Sequence, residues 1–289
     1  MTSTLRSLSS LPDLTGRTVV VTGASSGIGL ATTRALAGAN ARVVLAVRNE
    51  RKGADAASSI AGETVVKPLD LADLGSIRRF AADWDEPIDV LINNAGVSTP
   101  TLQRTADGFE LQFGTNHLGP FALTNLLLPH ITGRVVSLAS QAERMGRLQL
   151  DDADMARTPY KESAVYAASK LANVLFISEL HRRLTAAGSP VLATAAHPGF
   201  VATGMTGQTT GIARLLTRAL AQPPEDGALP VLLAATGDIP GDSFTGPEHL
   251  LHMRGGAQLI GRSKQAGDAA LAGRLWDLSE RMTGVVFPL

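Results

Sequence analysis

Short apolar runs alternate along the chain with longer amphipathic stretches. The apolar runs lie at residues 17–23, 41–47, 63–69, 88–94, 133–140 and 189–199. Each has apolar residues at successive positions, which is typical of strands buried on both faces of a parallel sheet. Stretches that predict helices separate them, at residues 27–38, 50–60, 73–83, 107–129 and 160–187. The alternation predicts an α/β fold with a doubly wound parallel sheet.

The two ends of the chain depart from this alternation. Residues 1–15 are rich in Ser, Thr and Leu and predict an N-terminal tail that is frayed or ordered on contact. Residues 200–224, rich in Thr and Gly, predict a mobile lid over a substrate. Because no repeat or linker interrupts the rest, we predict one domain over residues 16–289. Its last predicted elements are a helix at 225–236, a short strand near 243–246 and a helix at 267–282.

Composition excludes several classes of function. The 26 Lys and Arg residues balance 26 Asp and Glu residues, so the basic excess of a nucleic-acid-binding protein is absent. The chain has no cysteine, which excludes thiol catalysis and Cys-ligated metals. His249 and His252 lie three apart without further ligands in the pattern, so no metal is predicted. The N-terminus lacks a signal-peptide core and no apolar run could span a membrane, so we expect a cytoplasmic protein.

A glycine-rich turn joins the first predicted strand to the first predicted helix. Its sequence, TGASSGIG, contains Gly23, Gly27 and Gly29. Glycines let backbone N–H groups approach a phosphate closely, and the helix N-terminus adds a favourable dipole. The strand–turn–helix context therefore predicts a dinucleotide site. The turn also matches the G-x-S-x-G nucleophile elbow of hydrolases, but no earlier strand supplies an oxyanion loop and no acidic partner for His197 is evident.

The end of the second predicted strand bears on the choice of cofactor. An Asp or Glu about 20 residues past the glycines binds the free ribose 2′-hydroxyl of NAD(H). Here the strand ends in Arg48, followed by Asn49. Because a guanidinium suits a 2′-phosphate, the sequence favours NADP(H) over NAD(H).

Tyr166 and Lys170 lie four residues apart in a stretch that is predicted to be helical. At that spacing the two side chains share one face of a helix. An ammonium beside a phenol favours the phenolate, so we expect Lys170 to lower the pKa of Tyr166 from its usual value of about 10. The pair predicts a proton donor and acceptor that works near neutral pH.

Several short motifs follow one another in a fixed order. After the glycine turn come NNAG at 93–96, Asn116, Ser140, the Tyr166–Lys170 pair and HPG at 197–199. Together they resemble the short-chain dehydrogenase/reductase family from about residue 16 to the last predicted helix. The long gap between Ser140 and Tyr166 and the sequence RLWDLSERMTG resemble the branch of retinol dehydrogenases, WW-domain oxidoreductase and protochlorophyllide reductases. The resemblance implies a single-domain Rossmann-type fold with a C-terminal substrate lid.

The resemblance also implies roles for individual residues. Tyr166 would be the general acid and base, and Ser140, with Ser137 as the weaker candidate, would position the substrate oxygen. Lys170 would lower the pKa of Tyr166 and hold the nicotinamide ribose. Asn116 would kink its helix and link Lys170 to a water relay. Besides Tyr166 and Lys170, the implied cofactor-binding residues are Gly23, Ser25, Ser26, Gly27, Ile28, Gly29, Arg48, Asn49, Asp70, Leu71, Asn94, Ala95, Gly96, Pro198, Gly199, Val201 and Thr203.

We therefore predict an NADP(H)-dependent oxidoreductase that interconverts an alcohol and a ketone or aldehyde. The alternative is a protein that senses NADP(H) without turnover. The resemblance implies a homodimer or homotetramer paired through the helices predicted at 107–129 and 160–187, a face that the loop at 141–159 would block or reshape. An apolar small molecule is the expected substrate because the predicted lid contains Met205, Ile212, Leu215, Leu216 and Leu220.

Overall fold

The computed structural model describes residues 4–153, 157–201 and 221–289. Its strands are β1 (Thr4–Leu5), β2 (Thr18–Thr22), β3 (Arg42–Val47), β4 (Thr64–Pro68), β5 (Ile88–Asn93), β6 (Ile131–Leu138), β7 (Leu192–Ala196), β8 (Phe244–His249) and β9 (Arg254–Leu259). Its α-helices are α1 (Gly27–Gly38), α2 (Glu50–Ser58), α3 (Leu74–Ala82), α4 (Leu111–Phe113), α5 (Gly119–Leu127), α6 (Glu162–Ala186), α7 (Pro224–Thr236) and α8 (Ala269–Thr283).

The strands form one sheet in the order β1-β9-β8-β7-β6-β5-β2-β3-β4. Strands β2 to β8 are parallel to one another, as the apolar runs predicted. The strand order reverses between β2 and β5, which leaves a crevice at the carboxyl ends of these two strands. The predicted α/β fold of Rossmann type, in a single domain, is confirmed. Its crevice is where a ligand is expected.

Helices cover both faces of the sheet. One apolar core contains Phe80 of α3, Leu123 of α5, Leu175 of α6 and Leu275 of α8. The other core lies beneath α1, α2 and α7 and contains Leu36, Ala56 and Leu232. Valine-rich strands fit between these layers because β-branched side chains pack well on a pleated surface.

Two strands at one side of the sheet, β1 and β9, were not predicted from the sequence. Strand β9 runs antiparallel to β8, and β1 runs antiparallel to β9. The sequence of β9, RGGAQL, contains two glycines and has neither the valines nor the alternation that indicate strands. Leu5 is buried and pairs with Ala257. Thr4 and Leu5 are thus ordered by contact, one of the two outcomes expected for the tail, while the domain boundary at residue 16 stays a prediction.

The helix predicted at 107–129 begins later and is not uniform. It begins at Leu111, where both carboxylate oxygens of the buried Glu110 accept backbone N–H groups, from Gln112 at 2.8 Å and Phe113 at 2.6 Å. A π-helical turn, Gly114–Leu118, separates α4 from α5. In this turn the N–H of Gly119 donates to the carbonyl of Gly114, one residue further back than in an α-helix.

Some predictions fall on residues that the structure does not describe. Most of the predicted lid at 200–224 lies outside the described residues, together with Thr203 and the five apolar lid residues. Among the helices that are described, none is long and apolar enough to cross a membrane.

Candidate active site

The glycine turn connects the carboxyl end of β2 to the N-terminus of α1. Gly23 has a φ angle of +65°, in the left-handed region that favours glycine. A Cβ on Gly29 would lie 2.5 Å from Asn94 Nδ2 and 2.5 Å from the carbonyl oxygen of Gly23. No side chain fits in that space, so the backbone itself forms the wall of the cleft. This arrangement fits a dinucleotide phosphate at the N-terminus of α1.

A buried threonine fastens this turn to the neighbouring strand. Thr22 Oγ1 accepts the backbone N–H groups of Asn94 and Ala95, each at 3.0 Å. Asn94 Nδ2 in turn donates to the carbonyl of Thr22 at 2.8 Å. These bonds hold the ends of β2 and β5 together at the point where the strand order reverses. Thr22 has no sequence signal for this role, because it reads as an ordinary residue of the strand.

The far end of the cleft lies where β3 meets α2. Arg48 and Asn49 line it, together with Lys52 in the first turn of α2. Asn49 caps this helix, because its Oδ1 accepts the N–H of Lys52 at 3.0 Å. Lys52 was not selected from the sequence, although its position one turn after the cap was a usable signal. The structure therefore places two exposed cations and a helix N-terminus at this end.

The π-helical turn positions Asn116 in the interior. Its Oδ1 accepts the N–H of Val97 at 2.7 Å, and its Nδ2 donates to the Val97 carbonyl and to Ser169 Oγ, both at 3.0 Å. Asn116 is fully buried and thereby joins the loop after β5 to α6. A Cβ on Gly96 would lie 3.3 Å from Asn116 Oδ1 and 3.5 Å from Lys170 Nζ, so both side chains face that glycine. The water relay from Lys170 stays a prediction.

Tyr166 and Lys170 lie on the same face of α6. Lys170 Nζ is 5.6 Å from the centroid of the Tyr166 ring and donates to the carbonyl of Leu138 at 3.0 Å. Asn173 Nδ2 donates to the same carbonyl at 2.9 Å. The Ser140 side chain, just beyond β6, is hydrogen-bonded to Tyr166. Helix α6 thus holds both predicted catalytic residues against the end of β6.

The pKa of Tyr166 is shifted in the direction opposite to the one predicted from the sequence. Burial raises the pKa of Tyr166, and the hydrogen bond with Ser140 lowers it in part. Burial also lowers the pKa of Lys170 to about 8. The expected net lowering of the Tyr166 pKa by Lys170 is therefore wrong for the free protein. Both charged forms lose hydration in the buried site, and this loss is the largest cause of each shift.

One cleft of about 580 Å³ brings most of the predicted residues together. Asn116 and Ser140 reach it through their contacts with lining residues. Two of the predicted cofactor-binding residues that the structure describes, Gly199 and Val201, do not line the cleft. Gly199 packs against Met253, and Val201 packs against Gly227. The predicted residues that line it are Gly23, Ser25, Ser26, Gly27, Ile28, Gly29, Arg48, Asn49, Asp70, Leu71, Asn94, Ala95, Gly96, Tyr166, Lys170 and Pro198.

Comparison with known proteins agrees with this geometry. The sequence pattern of the short chain dehydrogenase family matches residues 17–151. Human retinol dehydrogenase 13 is 40% identical over 94% of this chain and 86% of its own length. The chain belongs to the short-chain dehydrogenase/reductase family. Its similarity to retinol dehydrogenases places it in that branch of the family.

Two solved structures extend the comparison. A protein from Mycobacterium paratuberculosis is 48% identical, with a TM-score of 0.87 over 99% of this chain and 100% of that one. The NADP active-site complex of Pseudomonas aeruginosa RhlG is 26% identical, with a TM-score of 0.64 over 79% of this chain and 94% of that one. The chain is thus a short-chain dehydrogenase/reductase, an oxidoreductase that acts on CH–OH donors with NAD(P).

Proposed function

We propose that this protein is an NADP(H)-dependent oxidoreductase that interconverts an alcohol and a ketone or aldehyde on an apolar small molecule. One observation carries the proposal. Tyr166, hydrogen-bonded to Ser140, lines the same cleft as the glycine turn, with the buried ammonium of Lys170 beside its ring. A protein that only senses the cofactor has no need of a half-buried phenol held in this way.

Residues of this chain carry out the proton transfer. In reduction, Tyr166 donates its phenolic proton to the carbonyl oxygen as negative charge develops there, and in oxidation it accepts the proton of the alcohol. The Ser140 hydroxyl holds the same oxygen within reach of Tyr166. A nicotinamide bound in this cleft would supply or accept the hydride. Lys170, fixed on the Leu138 carbonyl, holds positive charge beside the phenolate that forms in reduction.

The cations at the adenosine end support the phosphorylated cofactor. Arg48 and Lys52 both line the cleft where β3 ends, and no acidic residue is among the described residues that line this end. Two cations and the N-terminus of α2 suit a 2′-phosphate. Asp70 lines the wall further along, where its Oδ1 accepts the N–H of Ala72 at 2.9 Å. The Asp70 carboxylate is therefore hydrogen-bonded within its own loop.

An apolar substrate is supported by similarity and by composition. The retinol dehydrogenases to which the chain is similar are named for an apolar alcohol. The segment at 200–224, which we propose as a lid, contains apolar side chains at Met205, Ile212 and Leu216. The cytoplasmic location and the pairing into a homodimer or homotetramer stay predictions.

Turnover of the cofactor against a panel of carbonyls and alcohols tests the proposal. The panel contains apolar aldehydes and alcohols of the retinal and prenyl type together with small polar ketones, each with NADPH or NADP and with NADH or NAD. The Tyr166→Phe variant is compared with Tyr160→Phe, which changes the other tyrosine of the chain. Tyr160 is a matched control because its hydroxyl donates to the Thr99 carbonyl at 2.6 Å, away from the proton-transfer residues.

We expect turnover with the apolar members and NADP(H), reduced by roughly 10²- to 10⁴-fold in Tyr166→Phe and nearly unchanged in Tyr160→Phe. Equal turnover in the wild-type protein and Tyr166→Phe would remove Tyr166 from the mechanism. Binding of NADPH without turnover of any panel member would favour a sensor of the cofactor.

A further inference from the structure

His197 lies between two loops of the active site. It directly follows β7, and its side chain is 2% exposed. Its Nδ1 accepts the backbone N–H of Gln141 at 3.3 Å and that of Gly199 at 3.4 Å. Gln141 is the residue after Ser140, and Gly199 follows Pro198, which lines the cofactor cleft. One ring nitrogen therefore touches the substrate side and the cofactor side of the site.

The two hydrogen bonds to Nδ1 determine the tautomer of the His197 ring. Because Nδ1 accepts two N–H groups, it carries no proton, and the proton of the neutral ring is on Nε2. Burial lowers the pKa of His197 to about 3, and the positive charge of Lys170 acts in the same direction. The imidazole is therefore neutral near neutral pH, and its Nδ1 is a permanent acceptor.

The surroundings hold His197 and the turn after it in place. The N–H of His197 donates to the carbonyl of Thr245 at 2.8 Å in β8. The Pro198 carbonyl accepts a hydrogen bond from Gln222 Nε2 at 2.7 Å. A Cβ on Gly199 would lie 2.6 Å from the carbonyl oxygen of Met253, so this turn packs tightly against the β8–β9 hairpin. Through Nδ1, this fixed turn also holds the backbone that follows Ser140.

We propose that His197 is a positioning residue of the active site, whose Nδ1 sets the distance between the Ser140 loop and the Pro198–Gly199 turn. This inference rests on the proposed function, because these two loops would hold the substrate oxygen and the nicotinamide. Small displacements between reacting groups have large effects on rate. His197 would thus act through the residues it holds, without touching the reacting atoms.

Three substitutions separate this role from simple packing. In His197→Asn the side-chain oxygen reaches the position of Nδ1 and can accept the same two N–H groups. In His197→Gln the polar end extends to the position of Nε2, and in His197→Leu no acceptor is present. Asn and Gln are both polar amides, so that pair stays informative even where the leucine variant folds poorly.

The variants are compared by kcat, by KM, by the dissociation constant of NADPH from its fluorescence, and by amide hydrogen exchange. We expect kcat to fall by roughly 10- to 100-fold in the Gln and Leu variants, with KM for the alcohol changed by less than about threefold. His197→Asn should keep kcat within about threefold of wild type. Exchange in peptides covering 140–146 and 197–201 should accelerate together in the Gln and Leu variants only.

Equal behaviour of the three variants would overturn the proposal, as would an Asn variant impaired as much as the Leu variant. Faster exchange in only one of the two peptides would also overturn it, because the proposal requires both loops to depend on Nδ1. Hydrogen exchange does not depend on turnover. If the wild-type protein turned over no substrate, the proposed function would fail by itself, while exchange would still rank the three variants.

Discussion

The two ends of the cofactor cleft are built on different physical principles. At the adenosine end, Arg48 and Lys52 are exposed, and water and salt screen their charges. At the catalytic end, Lys170 and His197 are buried and Tyr166 is nearly so, and burial is the largest cause of the pKa shift of each. Substitutions should therefore have small, independent effects at the first end and large, coupled effects at the second.

Lys170→Met should give the largest effect and should separate catalysis from stability. Loss of the ammonium should lower kcat by roughly 10²- to 10⁴-fold. Methionine has a similar shape, and the Leu138 carbonyl keeps its hydrogen bond from Asn173. Steady-state kinetics with NADPH would measure the loss. Unchanged kcat in this variant would mean that the buried end does not act as a unit.

The same variant should be more stable than the wild-type protein near neutral pH. Burial lowers the pKa of Lys170 from 10.5 to about 8, so the folded protein binds fewer protons than the unfolded chain between these values. The contribution of Lys170 to stability is therefore fully present above pH 10.5 and is lost as the pH falls to about 8. Near neutral pH the buried ammonium costs up to roughly 3 kcal/mol.

Urea unfolding as a function of pH would measure this difference. We expect the free energy of unfolding of Lys170→Met to exceed that of wild type at about pH 7 and the two to converge as the pH approaches 10.5. A variant that is less stable at neutral pH would show that the hydrogen bond of Lys170 outweighs the cost of its burial.

Asn116→Ala should affect both catalysis and stability. It removes three hydrogen bonds, two to Val97 and one to Ser169, and leaves buried partners unpaired. We expect the free energy of unfolding to fall by about 1–3 kcal/mol and kcat to fall by about 10-fold or more. Asn125→Ala is a matched control, because Asn125 is buried in the following helix and bonds only the Phe121 carbonyl among the described partners.

Asn125→Ala should lose stability and keep kcat. If both variants lost kcat to the same degree, Asn116 would matter for packing in general and not for the catalytic end.

The chain has only two tyrosines, which makes the protonation of Tyr166 directly measurable. Burial raises the pKa of both Tyr160 and Tyr166. We expect tyrosinate absorbance in the free protein to develop only above pH 10, the usual value. Titration of wild type and Tyr166→Phe would assign the signal. Tyrosinate that formed near neutral pH and vanished in Tyr166→Phe would mean that the ammonium of Lys170 dominates after all.

That titration also marks the limit of what the sequence predicts. The succession of strands and helices along the chain, the glycine turn and the i,i+4 spacing of Tyr166 and Lys170 follow from periodicity and short motifs. The sign of the Tyr166 pKa shift does not, because it depends on how much hydration each group loses in the fold. Spacing shows that two groups are close, but it does not show how deeply they are buried.

The residues that sequence reasoning missed have a common property. Thr22, Asn173 and His197, the last noted only as part of the HPG motif, act through hydrogen bonds to the backbone of other segments, at Asn94, Leu138 and Gln141. No local pattern marks such contacts, because their partners lie 35 to 72 residues away along the chain. The strand β9 was missed for a related reason, since its pairing with β8 and not its own composition makes it a strand.

Substitutions at the adenosine end should have the smallest effects. We expect Arg48→Ala to raise KM for NADPH by about 10-fold and Lys52→Ala by somewhat less, with KM for NADH unchanged in both, because only the 2′-phosphate needs the charge. Arg51→Ala is the matched control, since Arg51 is exposed on α2 and is not among the residues that line the cleft. The measurement is KM for both cofactors at low salt and at about 0.5 M NaCl.

The salt dependence of KM and the double variant Arg48→Ala/Lys52→Ala test whether the two ends of the cleft differ in how strongly their charges are screened. Exposed charges act through screened Coulomb interactions, so the effects of Arg48→Ala and Lys52→Ala should nearly add on a free-energy scale and shrink at high salt. Equal increases of KM for NADPH and NADH would show that these cations bind no 2′-phosphate. Strong coupling that persists at high salt would show that this end, too, is desolvated when the cofactor binds, and the contrast with the catalytic end would then hold only for the free protein.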